Sequence, residues 1–428
     1  MDATLRKQIS DLIHREVVLA TGCTEPGAVA LCVAKACETL GTKPERVDLY
    51  LSKNVFKNAM GVGIPGTGMI GLPIAVAMAV THGDSSRKLE VLMLGKEQVE
   101  DAKKWLANNS DRIHISVKDT VDKLYIEAVC TAGKETSKAI ISKTHTCFTR
   151  IEKGGEVLVE DSGSTAVPNT AAATVAKDEL VLNAQTVFDY ATTTPIEELE
   201  FIREAVKFNE AASQEGLKGY GLHAGAILNS NAAGDIVHTV VAHTVAASDA
   251  RMDGCTLPIY SNSGSGNQGI ACTLPVYKYG QLKQCSEEQI TRALILSSLM
   301  SIYVKKGIGR LSALCGIVNA SIGVTSAIVY LHGGDFQKVC YAIKNLINTI
   351  AGMLCDGAKP SCALKMATGM YSAFVSAELA YNDYVVDATD GLSQSDIDLS
   401  IRNLARLGHD GMNQTDDMIL DIMMHKEL

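Results

Sequence analysis

The chain has no excess of positive charge. Its 39 Lys and Arg are outnumbered by 48 Asp and Glu, a formal net charge of −9, so no basic stripe is available to hold nucleic acid phosphates. A secretory start is also missing: Met1-Asp2-Ala3-Thr4-Leu5-Arg6-Lys7 opens a charged amphipathic segment without an apolar core or a small-residue cleavage site. A cytoplasmic location is the expectation. Charge is absent altogether from residues 58–83, 254–277 and 311–334, runs long enough to raise the question of a membrane span. The first is broken by Gly61, Gly63, Gly66, Gly68 and Gly71 with Pro65 and Pro73, and the second by Pro258, Pro275 and a Ser/Asn/Gly-rich centre. Cys315, Asn319, Ser321, Thr325 and Ser326 give the third a small-residue character suited to helix packing inside a protein. All three read as buried elements, and no membrane partner is expected.

A disulfide framework is a poor explanation for the cysteines. Twelve cysteines scattered over 428 residues in a reducing compartment call for core packing, metal ligation or catalysis instead. The length allows two or three domains.

Apolar positions Leu5, Ile9, Leu12, Ile13 and Val17 predict a first helix over residues 5–19, and a second runs over 27–40 from Pro26 to Gly41. Strand signals follow at 47–51, 89–94, 113–118, 122–130 and 139–150, with helices at 72–81 and 96–107 and a hairpin turn at Gly154-Gly155. This half is α/β with a mixed sheet. The turn-rich segment over 162–170 is a candidate connection. Beyond residue 195 helical patterns dominate, at 195–212, 222–250, 286–304, 311–332, 336–354, 362–381 and 394–407. The expected division is an α/β domain over 1–165 and a mostly α-helical domain over 166–428. One short echo, Cys255-Thr256-Leu257-Pro258-Ile259-Tyr260 and Cys272-Thr273-Leu274-Pro275-Val276-Tyr277, predicts two similar extended segments flanking a loop.

Four motifs carry chemistry. Cys355-Asp356-Gly357-Ala358-Lys359-Pro360-Ser361-Cys362 places two thiols around a Gly and a Pro, and Cys315 lies upstream beyond the basic stretch over 305–310. The spacing is compatible with a shared metal centre or with ordinary buried thiols. In Thr21-Gly22-Cys23-Thr24-Glu25-Pro26 a thiol stands just before a helix, where the N-terminal dipole is expected to lower its pKa. Cys32 and Cys37, inside that helix, read as structural; Cys130, Cys147, Cys255 and Cys272 receive no role. Ser261-Asn262-Ser263-Gly264-Ser265-Gly266-Asn267-Gln268-Gly269 formally matches GxGxxG, but Pro275 is expected to stop any following helix and no βαβ unit surrounds it. A substrate carboxylate could still meet its backbone N–H groups. The Gly-rich loop over 57–68 lacks the Gly-Lys-Ser/Thr of a phosphate loop, and His145, His223 and His243 stand without metal-ligand spacing.

Taken in order, these motifs and Gly61-Val62-Gly63-Ile64-Pro65-Gly66-Thr67-Gly68 resemble the L-cysteine desulfidase family, which belongs with the iron–sulfur L-serine dehydratases. The resemblance spans nearly the whole chain. It implies β-elimination without PLP (pyridoxal phosphate), converting L-cysteine to hydrogen sulfide, ammonia and pyruvate. It also implies a 4Fe-4S cluster on Cys315, Cys355 and Cys362, and Cys23 as proton acceptor. The first domain would bind substrate and carry the base, and the second would carry the cluster. Thr24, Glu25, Asn58, Thr67, Ser263, Ser265 and Asn267 are the expected substrate contacts, with Glu25 placed to meet the ammonium group. The serine-dehydratase branch has a Ser-Ser-Ser-His-Thr-type loop where this chain has Thr21-Gly22-Cys23-Thr24-Glu25. That branch can also close its cluster with a C-terminal cysteine, whereas no cysteine follows Cys362 here. Both departures favour cysteine over serine. A small amino acid is the expected partner, with a homodimer as the assembly considered. The rivals are L-serine dehydration by the same chemistry and a non-catalytic iron–sulfur sensor, for which no output domain is visible.

Overall fold

The computed structural model describes residues 1–120, 122–160, 180, 182–309 and 311–425. The candidate connection over 162–170, the division at residue 165, Arg310 of the basic stretch and the last three residues lie outside them.

Asp2 caps the first helix, α1 (Ala3–Glu16), by accepting from the Leu5 N–H at 2.9 Å. After β1 (Val17–Ala20), Cys23 is the N-cap of α2 (Thr24–Leu40), which Gly41 ends in the left-handed conformation (φ 82°). There follow β2 (Arg46–Leu51), α3 (Lys53–Ala59), a small hairpin of β3 (Gly63–Ile64) and β4 (Met69–Ile70), α4 (Leu72–His82) and α5 (Lys96–Asn109). Strands β5 (Ile113–Val117), β6 (Tyr125–Ala132), β7 (Glu135–Ser142), β8 (Phe148–Lys153) and β9 (Glu156–Glu160) complete this half, and β8 and β9 turn at Gly154-Gly155.

The sheet order is β5-β2-β6-β7-β8-β9, and it is mixed because β2 runs parallel to β5 but antiparallel to β6. Strand alternation sends Leu49, Leu51, Ile126, Ala128, Ala139 and Ile141 into one core with the apolar side of α2. Inside that core Cys32 donates its thiol to the Ala139 carbonyl at 3.2 Å, and Cys37 and Cys130 lie with their sulfurs 3.7 Å apart.

The second half is helical: α6 (Ala184–Thr193), α7 (Ile202–Gly216), α8 (Ala224–Ser230), α9 (Ile236–Met252), then strand β10 (Ile259–Asn262), α10 (Gly266–Leu282), α11 (Glu287–Ile308), α12 (Gly316–Leu331), α13 (Phe336–Ile350), α14 (Cys362–Tyr381), α15 (Ile397–Arg406) and α16 (Asn413–Met424). Helix α12 is the hub, packed by α10, α11, α13 and α14. Burial on every side explains its charge-free sequence. At Gly323 the Ser297 carbonyl approaches so closely that a Cβ would collide with it. No described helix is long and apolar enough to cross a membrane. The first helix packs its Ile9, Leu12 and Ile13 into this second core, and β1 pairs antiparallel with β10.

Several local expectations need correction. Residues 89–94 form no strand; Ser85–Leu92 is 3-10 structure broken at Lys88 (φ 51°), with Val91 and Leu92 buried against α2 and no neighbouring strand to pair with. The pattern over 222–250 is two helices, parted around Gly234 (φ 83°). The echo around Cys255 and Cys272 does not fold alike: the second copy lies inside α10, which continues through Pro275. An interior proline costs about 3 kcal/mol, and complete burial of Ile270, Leu274 and Val276 offsets it.

Candidate active site

Four helices of both halves begin at one cavity of about 150 Å³. Cys23, Thr24 and Glu25 open α2; Ser265 is the N-cap of α10; Cys315 is the N-cap of α12; and Cys362 is the first residue of α14. All of them line the cavity, together with Cys355, Asn58, His145, Arg251 and Lys305. The positive ends of four helix dipoles, with Arg251 and Lys305 among the lining side chains, make this a place for anions.

Cys315 and Cys355 are brought together by backbone pairing. The Cys355 N–H donates to the Ala313 carbonyl at 2.7 Å and the Cys315 N–H to that of Met353 at 3.0 Å, around an antiparallel bridge of Leu314 with Leu354. Cys362 arrives from the other end of the loop, its N–H on the Lys359 carbonyl at 2.9 Å and its thiol 3.6 Å from the Gly357 carbonyl. Gly357 (φ 91°) admits no side chain, because a Cβ would strike the backbone of Lys57. Burial, then the neighbouring Cys355 thiol, pushes the Cys315 thiol up to about 12; burial likewise raises Cys362, with Cys355 adding to it. Cys315 and Cys362 therefore resist ionising, a situation that a bound cation reverses. Among the described residues no three His, Cys, Asp or Glu side chains gather closely enough to hold a single metal ion. Three soft thiols ringing a cavity, rather than converging on a point, fit a multi-iron cluster better than one ion.

Cys23 faces the same cavity and is only 6% exposed. The expectation of a lowered pKa is corrected: desolvation pushes this thiol up to about 11, against the opposing pull of Arg251. Arg251 is a residue that the sequence does not single out. It comes from the end of α9, donates to the Gly22 carbonyl at 3.2 Å and to Asn267 Oδ1 at 3.3 Å, and its charge acts on the Cys23 thiol. Gly266 leaves room for it, since a Cβ there would collide with the guanidinium.

Of the expected substrate contacts, Thr24, Glu25, Asn58, Ser263, Ser265 and Asn267 all line the cavity. Asn58 donates to Glu25 Oε1 at 3.0 Å, and Ser265 accepts from the Gln268 N–H at 3.3 Å. Thr67 does not belong with them. It is buried in the β3–β4 turn, where its hydroxyl donates to the Ile64 carbonyl at 2.8 Å and accepts from the Met69 N–H at 3.0 Å. The glycines around it serve backbone packing: Gly63 lies so close to the Asp253–Gly254 backbone that no side chain fits. His145, isolated in sequence, reaches the cavity from the β7–β8 connection, whereas His243 is half-buried near Ser213 on α7.

A sequence profile of the serine dehydratase alpha chain family matches residues 86–421. The chain belongs to that family. It is 48% identical to a UPF0597 protein of Parabacteroides distasonis and 49% identical to one of Bacteroides fragilis, each across the full length of both chains. A UPF0597 protein of Aeromonas hydrophila is 42% identical over 97% of this chain and 95% of its own. Membership of this family points to lyase activity as the general class.

Proposed function

We propose that this member of the serine dehydratase family is a cytoplasmic, PLP-independent L-cysteine desulfidase that releases hydrogen sulfide, ammonia and pyruvate. The observation that carries the reading is the meeting of Cys23 with Cys315, Cys355 and Cys362 around one cavity. Cys315, Cys355 and Cys362 would hold a 4Fe-4S cluster. When bound, it supplies a Lewis-acidic iron that stabilises sulfur as a leaving group.

The chain's own residues do the rest. The substrate carboxylate finds N–H groups and hydroxyls at Ser263, Ser265 and Asn267, at the start of α10, with Thr24 opposite. Glu25, oriented by Asn58, stands ready for the ammonium group. Cys23 Sγ is the proposed acceptor of the α-proton: burial keeps the thiol protonated in the empty site, so it must first release its own proton, and Arg251 pulls it toward the thiolate that does the work. The electron pair left on Cα forms a Cα–Cβ double bond as the C–S bond breaks, and sulfur departs with the pair. The aminoacrylate tautomerises to an imine, and water hydrolyses it to pyruvate and ammonia. Base assistance of this kind is worth about 10² to 10⁴-fold, and orientation in the cavity adds to it.

L-serine is the second reading, favoured by the family's own description. Against it stands the thiol at Cys23 in place of the Ser-Ser-Ser-His-Thr-type loop. Anaerobic assays of sulfide and pyruvate with L-cysteine, L-serine and D-cysteine separate the two.

A further inference from the structure

The Gln268 amide has only one possible orientation. The Ser298 carbonyl can only accept, so Asn262 Nδ2, 3.1 Å away, donates to it. Asn262 Oδ1 is thereby turned toward Gln268 and accepts from its Nε2 at 3.1 Å, as well as from Ser263 Oγ at 2.9 Å. The second Nε2 proton goes to Ser301 Oγ at 3.0 Å. Both protons of the amide are spent on the protein.

Gln268 Oε1 is left over. The side chain is 1% exposed and lines the cavity, and this oxygen has no hydrogen-bond partner among the described residues. It points toward the start of α12, where a Cβ on Gly316 would lie 3.1 Å from it. An unmet buried acceptor is unfavourable, and a donor on a ligand recovers the loss. The cavity is otherwise a place for anions, with four helix N-termini and Arg251 around it. It has many sites for a carboxylate and few for a cation.

We propose that Gln268 Oε1 accepts a hydrogen bond from the α-ammonium group of the substrate, and so makes the site specific for amino acids over the same acids without nitrogen. This rests on the reading of the chain as an amino-acid β-lyase. A neutral amide is well matched to an ammonium group here, because it holds the group without removing its proton, and the retained positive charge keeps the α-proton acidic. Sites that hydrogen-bond a substrate N–H reject analogues lacking it far more strongly than apolar pockets reject a missing methylene.

The test compares L-cysteine with 3-mercaptopropionate, which keeps thiol and carboxylate but lacks nitrogen, on anaerobic cluster-loaded enzyme. KM and kcat are measured for L-cysteine, and the dissociation constant of 3-mercaptopropionate by calorimetry. Gln268→Met should raise the KM for L-cysteine at least tenfold and leave 3-mercaptopropionate binding within twofold of wild type. Equal weakening of both, or no change in either, overturns the proposal. If Gln268→Met loses its thermal transition, calorimetry on the wild-type enzyme decides: L-alanine should bind at least tenfold more tightly than propanoate, which differs from it only in the α-amino group, and equal binding overturns the inference. Wild-type enzyme that turns over no β-substituted amino acid strikes the parent reading and this inference together, whereas turnover with an unaltered Gln268→Met profile strikes the inference alone.

Discussion

Cys315 and Cys355, forty residues apart in sequence, are clamped side by side by two backbone hydrogen bonds of 2.7 and 3.0 Å that flank a single antiparallel bridge. A helix start and a loop are thereby fixed to each other before any ligand arrives. Preorganisation of this kind is what a thiol-held cluster needs.

Replacing Cys315, Cys355 or Cys362 with Ala should abolish iron retention and turnover. Cys285 and Cys340 serve as controls, because both lie among helices away from the cavity and their replacement should leave iron content unchanged. Iron and sulfide analysis of anaerobically purified variants checks this, and a control variant losing as much iron as a ligand variant would contradict the assignment.

Lys57 supports the same loop from below. It is 2% exposed, pairs with Asp416 of α16 and donates to the Cys355 carbonyl at 3.2 Å. Lys57→Met removes that donor and leaves the partly buried Asp416 carboxylate with the Asn54 side chain in place of a charged partner, a destabilising change. The variant should melt lower than wild type and bleach faster in air. Bleaching at the wild-type rate in a folded variant would show that the Cys355 loop does not depend on this lysine.

Arg251 ties the Gly22 turn to the start of α10 beside the Cys23 thiol. A charge-assisted hydrogen bond is worth about 1.5–3 kcal/mol, so Arg251→Met should lower kcat/KM by roughly 10- to 100-fold while iron content stays at the wild-type level. Gly266→Ala should act in the same direction, because its methyl group displaces the guanidinium. Wild-type kinetics in Arg251→Met would remove this residue from the mechanism.

Much of this arrangement is legible in the sequence, and the parts that are not have physical causes. Helical periodicity marks α11 and α13 to α15 because each has a buried face, the charge-free small-residue run marks the fully buried α12, and the turn over 21–26 announces a thiol at a helix start. The segment over 89–94 misleads because Leu89, Val91 and Leu92 are apolar for packing on α2, a burial that strand and 3-10 backbones both serve. Pro275 misleads because tertiary burial overrides a local penalty. Arg251 is invisible for another reason: its partner Gly22 is 229 residues away, and no local pattern distinguishes an arginine at a helix end that turns inward. Gln268 sits within the Gly-rich match itself, yet its role depends on Asn262 and Ser301, whose proximity only the fold reveals. Thr67 shows the converse, a residue in a specific motif whose hydroxyl is consumed by its own turn.

The proposed role of Cys23 as base predicts that its replacement separates catalysis from cluster assembly. Cys23→Ala should keep iron content and lose most activity, and Cys23→Ser should lose nearly as much, since a hydroxyl is a far weaker acid than a thiol. With α-deuterated L-cysteine, a primary isotope effect is expected where proton removal limits the rate. If the Ala variant lost its iron, Cys23 would be a fourth ligand instead of a base. If it kept wild-type turnover, the base would have to be sought among Glu25, His145 and Lys305.

The central claim is that the family's lyase chemistry is here directed at a carbon–sulfur bond. The most direct test is the ratio of kcat/KM for L-cysteine to that for L-serine, with sulfide and pyruvate both measured, on anaerobic protein carrying about four irons per chain. Sulfide and pyruvate should appear one for one from L-cysteine, with a ratio of at least about tenfold, equivalent to about 1.4 kcal/mol in transition-state stabilisation. Equal or faster turnover of L-serine would make the chain a dehydratase, and full activity in iron-free protein would contradict the claim at its root.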